Sequence, residues 1–408
     1  MSERQDIYGD IEAFWDVLDG EVYALTDVLT VSIQTIERLR TAARDVYLIF
    51  EKIAPILRTM EDEALLELGY PEQSLPFLRL ETMRPLSIIS RFDFIVTDER
   101  ISVMEWNADT PTFIKESFDV NDRVAKKRHW MPVNAGESAE LGRSIRRAIE
   151  AATHRTGERP HIVFTSHGDN IEDRLTTEYL QGFVDGASYC PLDELEIRAE
   201  DGLYDQHGKR IDILYRQTFP VEMALLDRDE EGHDLGVLLL QLVEQGLLEI
   251  INPPAAFLMQ AKSVLAVIWT LHETGHPYLT ARDHQIIARY FLPTYLEPDV
   301  FLERRCRFVE KPIFGREGDT VTIYQGDGKV LLSNEQRSFS EQASVYQEYR
   351  ALPTYELRDG AEVAYMYGVF VLGGRASAIG VRAGERITGN RSYFLPIGRL
   401  QEGEEETR

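Results

Sequence analysis

Cysteine is scarce: the 408-residue chain has two, Cys190 and Cys306. Two distant thiols without metal-site spacing build neither a disulfide framework nor a thiolate metal centre, and they favour a reducing compartment. Positive charge is also in short supply, with 44 lysines and arginines against 69 aspartates and glutamates, a net charge of −25. Such a chain repels a phosphate backbone instead of releasing its counterions, which argues against a nucleic-acid partner. It suits a cationic substrate such as a polyamine, but acidity is common in cytosolic proteins, so charge alone selects no substrate. Long apolar runs are missing as well. The run Gly236–Val243 falls well short of the roughly 18 residues that span a bilayer. The polar start, Met1–Asp6, has no apolar signal core, so the expectation is a cytoplasmic protein without a membrane segment.

What is present is a globular composition, 43% hydrophobic and 28% charged, which excludes disordered and fibrous classes. The length exceeds the roughly 100–200 residues of a typical domain and predicts one large module of two or three lobes. Apolar residues at Ile36, Leu39, Ala43, Val46, Ile49 and Ile53 recur at helical spacing, predicting a packing helix between Val22 and Met60. Helices are expected to about residue 85, a strand-rich block over 86–107, and a mixed region to about 300. From Phe308 to Pro396, β-rich runs alternate with glycine turns, as in a hairpin-rich sheet. The class is α+β, or mixed α/β. The tail 398–408, acidic and without apolar residues across Gln401–Glu406, is expected to stay solvated.

Chemistry first shows in one hairpin. Ser90–Thr97 alternates in polarity, Asp98–Arg100 suits a three-residue turn, and Ile101–Asn107 returns. That register sets Asp93 opposite Glu105 and Arg91 opposite Asn107, all on one face. Facing carboxylates repel and persist most readily around a cation. Magnesium, which takes oxygen ligands and leaves positions for phosphate, fits that need, with Arg91 as a phosphate clamp. The same four residues also suit the solvated face of an ordinary amphipathic hairpin, and spacing alone leaves both readings open.

Other segments are ambiguous in the same way. Lys311 precedes Gly315 and Gly318 between two predicted strands, which suits either a flap over phosphates or a plain turn; it is not a P-loop. His272 and His276 have the i,i+4 spacing of a chelate, but Gly275 and Pro277 point to a helix end.

The segment Glu105-Trp-Asn-Ala-Asp-Thr-Pro-Thr112 resembles the Glu-x-Asn-Ala-Asp-(Ser/Thr)-(Pro/Ala)-(Ser/Thr) stretch of the glutathionylspermidine synthase family, whose ligase domain is of the ATP-grasp type. It is joined in the family's order by Arg91-Phe-Asp93 upstream and by Lys311–Gly318, Tyr346–Tyr349, Ala378–Arg382 and Ile387–Ser392 downstream. The resemblance covers about 86–397 in patches. It implies a helical segment over 1–85 packed on an ATP-grasp module over 86–397, with substrate lobes at about 110–260 and a nucleotide lobe at about 300–397.

By resemblance, Asp93, Glu105 and Asn107 are magnesium ligands, and Arg91 and Arg382 act on the transferring phosphoryl. Lys262 and Lys311 are nucleotide lysines, Gly315 and Gly318 belong to the flap, and Gln347, Glu348 and Tyr349 form the connector that reads adenine through its backbone. Side-chain identity is expected to matter less there. Thr110 and Thr112 stand near a peptide substrate, and the acid pair Glu172 and Asp173 suits an ammonium group. Read singly, Lys262 suits a helix surface, Arg382 a structural arginine, the threonines a turn, and the acid pair a helix start.

The implied reaction is amide formation through an acyl phosphate, consuming ATP with magnesium and joining a small peptide or amino acid to an amine. One departure bears on substrate. Gln217-Thr-Phe-Pro-Val-Glu222 has an uncharged residue where the family often has a basic one, with Arg216 one position earlier. No cysteine-histidine amidase module is expected. The competing reading is a nucleotide-binding regulatory or interaction protein that keeps this fold without turnover.

Overall fold

The computed structural model describes residues 2–156, 159–218, 221–389 and 392–400. Helix α1 (Ile33–Arg58) starts where Ser32 stops the preceding strand, its Oγ accepting the Thr35 N–H at 3.1 Å. The helix begins later than the span from Val22 suggested, because Glu21–Val22 and Leu29–Val31 are extended and paired in sheets. Its stripe of Ile36, Leu39, Ala43, Val46, Ile49 and Ile53 is fully buried.

The elements that follow around the site, in chain order, are β1 (Ile89–Val96), β2 (Ile101–Asn107), β3 (Ile162–Ser166), α2 (Ile171–Gln181), β4 (Ile213–Gln217), β5 (Glu249–Ile251) and α3 (Ser263–Glu273). After them come β6 (Phe308–Pro312), β7 (Thr322–Tyr324), β8 (Ser344–Glu348), β9 (Glu362–Leu372) and β10 (Arg375–Gly384). Three sheets organise them. An antiparallel sheet runs β2-β1-β9-β10 and joins chain segments more than 250 residues apart. A parallel sheet runs β5-β4-β3 and ends on Ser188–Tyr189. A second antiparallel sheet contains β8-β6-β7, flanked by Thr294–Tyr295 and Val330–Ser333.

The register of β1 and β2 sets Asp93 opposite Glu105 and Arg91 opposite Asn107 by a route the sequence did not suggest. The turn spans four residues, with Val96 facing Ile101, so an unbroken ladder would set Asp93 against Met104. A bulge inserts Met104 into β2 and returns Glu105 to Asp93. On the other face of this ribbon, Phe92 stacks on Trp106 at 5.0 Å, and Phe50 of α1 meets Trp106 edge-on at 4.7 Å. Trp106→Ala is expected to lower unfolding free energy by about 3–5 kcal/mol in urea titration. Trp106→Phe should lose far less, since the buried indole N–H has no partner to forfeit among the described residues.

The C-terminal strand Ile397–Arg399 pairs in parallel with Leu29–Val31 around a fully buried Ile397. The tail expected from residue 398 is therefore packed at its start; Gln401–Arg408 lie outside the described residues. Among the described residues no single helix is long and apolar enough to cross a membrane.

Candidate active site

The polar face of the β1–β2 hairpin is interior, with Arg91 3% and Asp93 2% exposed, which removes the solvated-face reading. Arg91 Nε and Nη2 donate to the two oxygens of Asp93 at 2.6 and 2.9 Å, and its Nη1 donates to the Thr112 carbonyl at 2.6 Å. Asn107 Nδ2 donates to Asp93 Oδ2 at 3.1 Å. Glu105 turns to the other side, where its Oε2 lies 3.2 Å from Lys262 Nζ. Arg91 and Lys262 thus each pair with one of the facing acids, so their charges are balanced by protein cations.

Lys262 precedes α3 and is buried, its Nζ also donating to the Gly315 carbonyl at 2.5 Å, so it is not a surface lysine. Burial pushes the Glu105 carboxyl up, but Lys262 and Lys311 outweigh it and hold it down at about 2. Burial pulls the Lys311 ammonium down to about 8, with Glu105 opposing the shift and Lys262 adding to it.

Asp93 and Glu105 border an open cleft, together with Lys262, Lys311, Arg382 and the turn Gly315–Gly318. Gly318 is required where it stands: φ is +66°, and a Cβ there would meet the Thr388 carbonyl at 2.4 Å. Gln347, Glu348 and Tyr349 line the same cleft.

The connector differs from expectation in two respects. The N–H groups of Glu348 and Tyr349 already donate to the carbonyls of Pro293 and Arg307, so they are not free to read a base. The Gln347 side chain, expected to matter little, is buried; its Oε1 accepts from Lys311 Nζ at 2.8 Å and its Nε2 reaches the carbonyl of the bulged Met104 at 3.4 Å. It joins the two antiparallel sheets at the floor of the cleft.

Glu172 and Asp173 form the first turn of α2, where Asn170 Oδ1 accepts both of their N–H groups. A helix start ordinarily stabilises carboxylates. Here burial wins, with Glu116 next in effect on Glu172 and Glu317 on Asp173, and the two carboxyls rise to about 8 and about 7. Thr110 is half-buried and Thr112 exposed; neither borders the cleft, and Thr112 contributes its carbonyl to Arg91. Arg216 is no substitute for the basic residue missing at Gln217, because it is buried in an ion pair with Asp109. Phe219, Pro220, Asn390 and Arg391 lie outside the described residues. His272 contacts His284, with Nδ1 atoms 2.9 Å apart, rather than His276. Among the described residues no cluster of three His, Cys, Asp or Glu side chains is placed to hold a metal.

Sequence reasoning passed over Asp109, Glu116, Glu222 and Arg316, although three of them stand inside or beside quoted motifs. Asp109 accepts from Arg216 and, at 3.1 Å, from the Val221 N–H, tying the exit of β2 to the segment that carries Glu222. Burial raises Glu222 to about 7, and Arg316 of the glycine turn approaches it at 3.7 Å.

This mixed helix-and-sheet architecture is an ATP-grasp-type fold. A glutathione synthetase-like effector from Globodera pallida shares that fold, with a TM-score of 0.55 over 98% of each chain at 10% identity. The chain belongs to the glutathionylspermidine synthase preATP-grasp family, whose model matches residues 4–398. A Haemophilus influenzae protein named "Putative acid–amine ligase" is 24% identical over 76% of this chain and 74% of its own length. Trypanothione synthetase of Crithidia fasciculata is 24% identical over 83% of this chain, and the Escherichia coli bifunctional glutathionylspermidine synthetase/amidase is 22% identical over 72%. The matched regions span 51% and 48% of those two proteins, about half their length.

Proposed function

We propose that the chain is an ATP- and magnesium-dependent carboxylate–amine ligase that forms an amide through an acyl phosphate. The observation that carries this reading is the convergence of Lys262, Lys311 and Arg382 on the same cleft as the buried Asp93 and the half-buried Glu105. The carboxylates of Asp93 and Glu105 border the cleft and the amide of Asn107 adjoins Asp93, and these hard oxygen donors suit Mg²⁺. They would hold the ion, which when bound supplies charge neutralisation for phosphate oxygens.

The rest of the work falls to the protein's own residues. Lys262 and Lys311 bind the phosphates, and Gly315–Gly318 closes over them to exclude water from the acyl phosphate. Arg91 has N–H groups left after binding Asp93 and Thr112, and with Arg382 it steadies the phosphoryl as it passes to the substrate carboxylate. The raised carboxyls of Glu172 and Asp173 suit an ammonium-bearing acceptor, and the named relatives point to a peptide carboxylate and a polyamine.

The direct test is incubation with magnesium-ATP and a panel of short peptides and polyamines, following ADP release and new amide mass. Substrate-dependent ADP with no amide in any combination would sink the proposal. Lys311 supplies an independent check. A phosphate beside it favours the ammonium form, so nucleotide binding is expected to take up a proton near pH 8 and above. Calorimetry in buffers of different ionisation enthalpy measures this, and zero uptake would place the phosphates elsewhere.

A further inference from the structure

The segment ahead of α1, read from sequence only as packing, reaches Glu116 and Glu172, two acids that both feel the charge of the cleft-lining Arg382. Trp15 is buried, and its Nε1 donates to Glu172 Oε1 at 3.1 Å. Tyr23 donates its hydroxyl to Glu116 Oε1 at 2.5 Å. The two rings lie 6.5 Å apart, inclined by 30°, so one aromatic pair grips one oxygen of each carboxylate. Glu116 is 1% exposed, and its second oxygen has no hydrogen-bond partner among the described residues. Glu172 is half-buried at the start of α2. Arg382 of β10 acts on both acids, Arg91 of β1 acts on Glu116, and Asp173 adds its charge beside Glu172. A pair of like-charged groups thus stands beside an arginine that borders the nucleotide cleft.

We infer that Glu172 accepts the proton of the attacking ammonium, and that Glu116, Tyr23 and Trp15 are positioning residues that hold Glu172 in place and keep it basic. This rests on the ligase reading. An ammonium has no lone pair, so a base must take a proton before nitrogen attacks, and a base works best with a pKa near the operating pH. Burial and then the neighbouring Glu116 bring Glu172 to about 8.

In the step itself, one ammonium proton passes to the Glu172 carboxylate. The freed lone pair forms the C–N bond at the acyl carbon. The C–O bond to phosphate breaks, phosphate leaves with that electron pair, and it carries off the second nitrogen proton as the amide forms. Glu172 then releases its proton to solvent.

The test compares the parent protein with Glu172→Gln, Glu116→Gln and Tyr23→Phe. The carboxylate is whichever of the panel supports ADP release, and the acceptor is either spermidine or hydroxylamine. Hydroxylamine is mostly unprotonated at neutral pH and needs no base. Glu172→Gln is expected to lose about 10²–10⁴-fold in spermidine amide formation. Hydroxamate formation should fall far less.

Glu116→Gln removes a like charge, so the acid limb of kcat/KM for spermidine should move to lower pH with hydroxamate formation maintained. Tyr23→Phe, which favours protonated Glu116, should move the limb the same way. Equal loss of both products in Glu172→Gln, or unmoved pH profiles in the other two variants, would overturn the assignment. If no carboxylate gives ADP or hydroxamate with the parent protein, the ligase reading falls and takes this inference with it.

Discussion

Glu105→Gln is expected to lower magnesium-dependent ATP turnover by at least about 100-fold, the scale on which a group stabilising transition-state charge acts. Glu105 serves as counter-charge to both Lys262 and Lys311, and under the proposed function it would give the ion one oxygen. Glutamine keeps the shape and loses the charge. Lys262 retains the Gly315 carbonyl and Lys311 retains Gln347, so the fold should survive, with an unchanged cooperative urea transition. Because Glu105 holds the Lys311 ammonium up against burial, its loss should send that group further below about 8. Proton uptake on nucleotide binding should then appear at lower pH. Unaltered turnover across a magnesium titration would remove Glu105 from the ion site.

The pH dependence of stability follows from the same carboxyl. Its folded-state value of about 2 is below its ordinary value of 4.5, so it contributes stability above that ordinary value. That contribution is lost as pH falls from 4.5 towards 2, and Glu105→Gln should flatten the stability profile in that window.

Arg91→Met is expected to do damage of two kinds. Asp93 is buried with both oxygens on Arg91, and removing one partner of such a pair costs about 3–5 kcal/mol because the remaining charge stays buried. Phosphoryl transfer should be lost as well. Arg91→Lys separates the two effects. A lysine returns the charge, and with it part of the stability, but a single ammonium cannot reproduce the two-pronged grip on Asp93 while also reaching Thr112 and a phosphate. Stability by urea titration and ADP release by coupled assay are the two readouts. Full turnover in Arg91→Lys would show that positive charge alone suffices there.

The hairpin shows how local patterning and tertiary context divide the work. Alternation along Ser90–Thr97 and Ile101–Asn107 was enough to propose that Asp93 faces Glu105. The pairing arises from a longer turn and a compensating bulge at Met104, because turn length and bulges follow backbone geometry and packing that side-chain identity specifies weakly. Alternation also could not distinguish a wet face from a buried one. That was decided by Lys262, Lys311 and Gln347, which lie 157 to 254 residues away from Asp93 or Glu105 in the chain.

The chain's own order of residues determined a great deal: helix α1 and its buried stripe, the acid hairpin, the glycine turn whose Gly318 needs a positive φ, and the motifs that mark the family. These are local properties, carried by periodicity, by single-residue backbone preferences and by short runs of side chains. Only the tertiary structure decided what each charge faces. It gave Asp93 to Arg91 and Glu105 to Lys262, turned Arg216 inward onto Asp109, and brought Trp15 and Tyr23 to Glu172 and Glu116. The physical reason is that the protonation and partnering of an ionisable group depend on burial and on charges within a few ångströms, and in this fold most of those neighbours come from distant stretches of the chain.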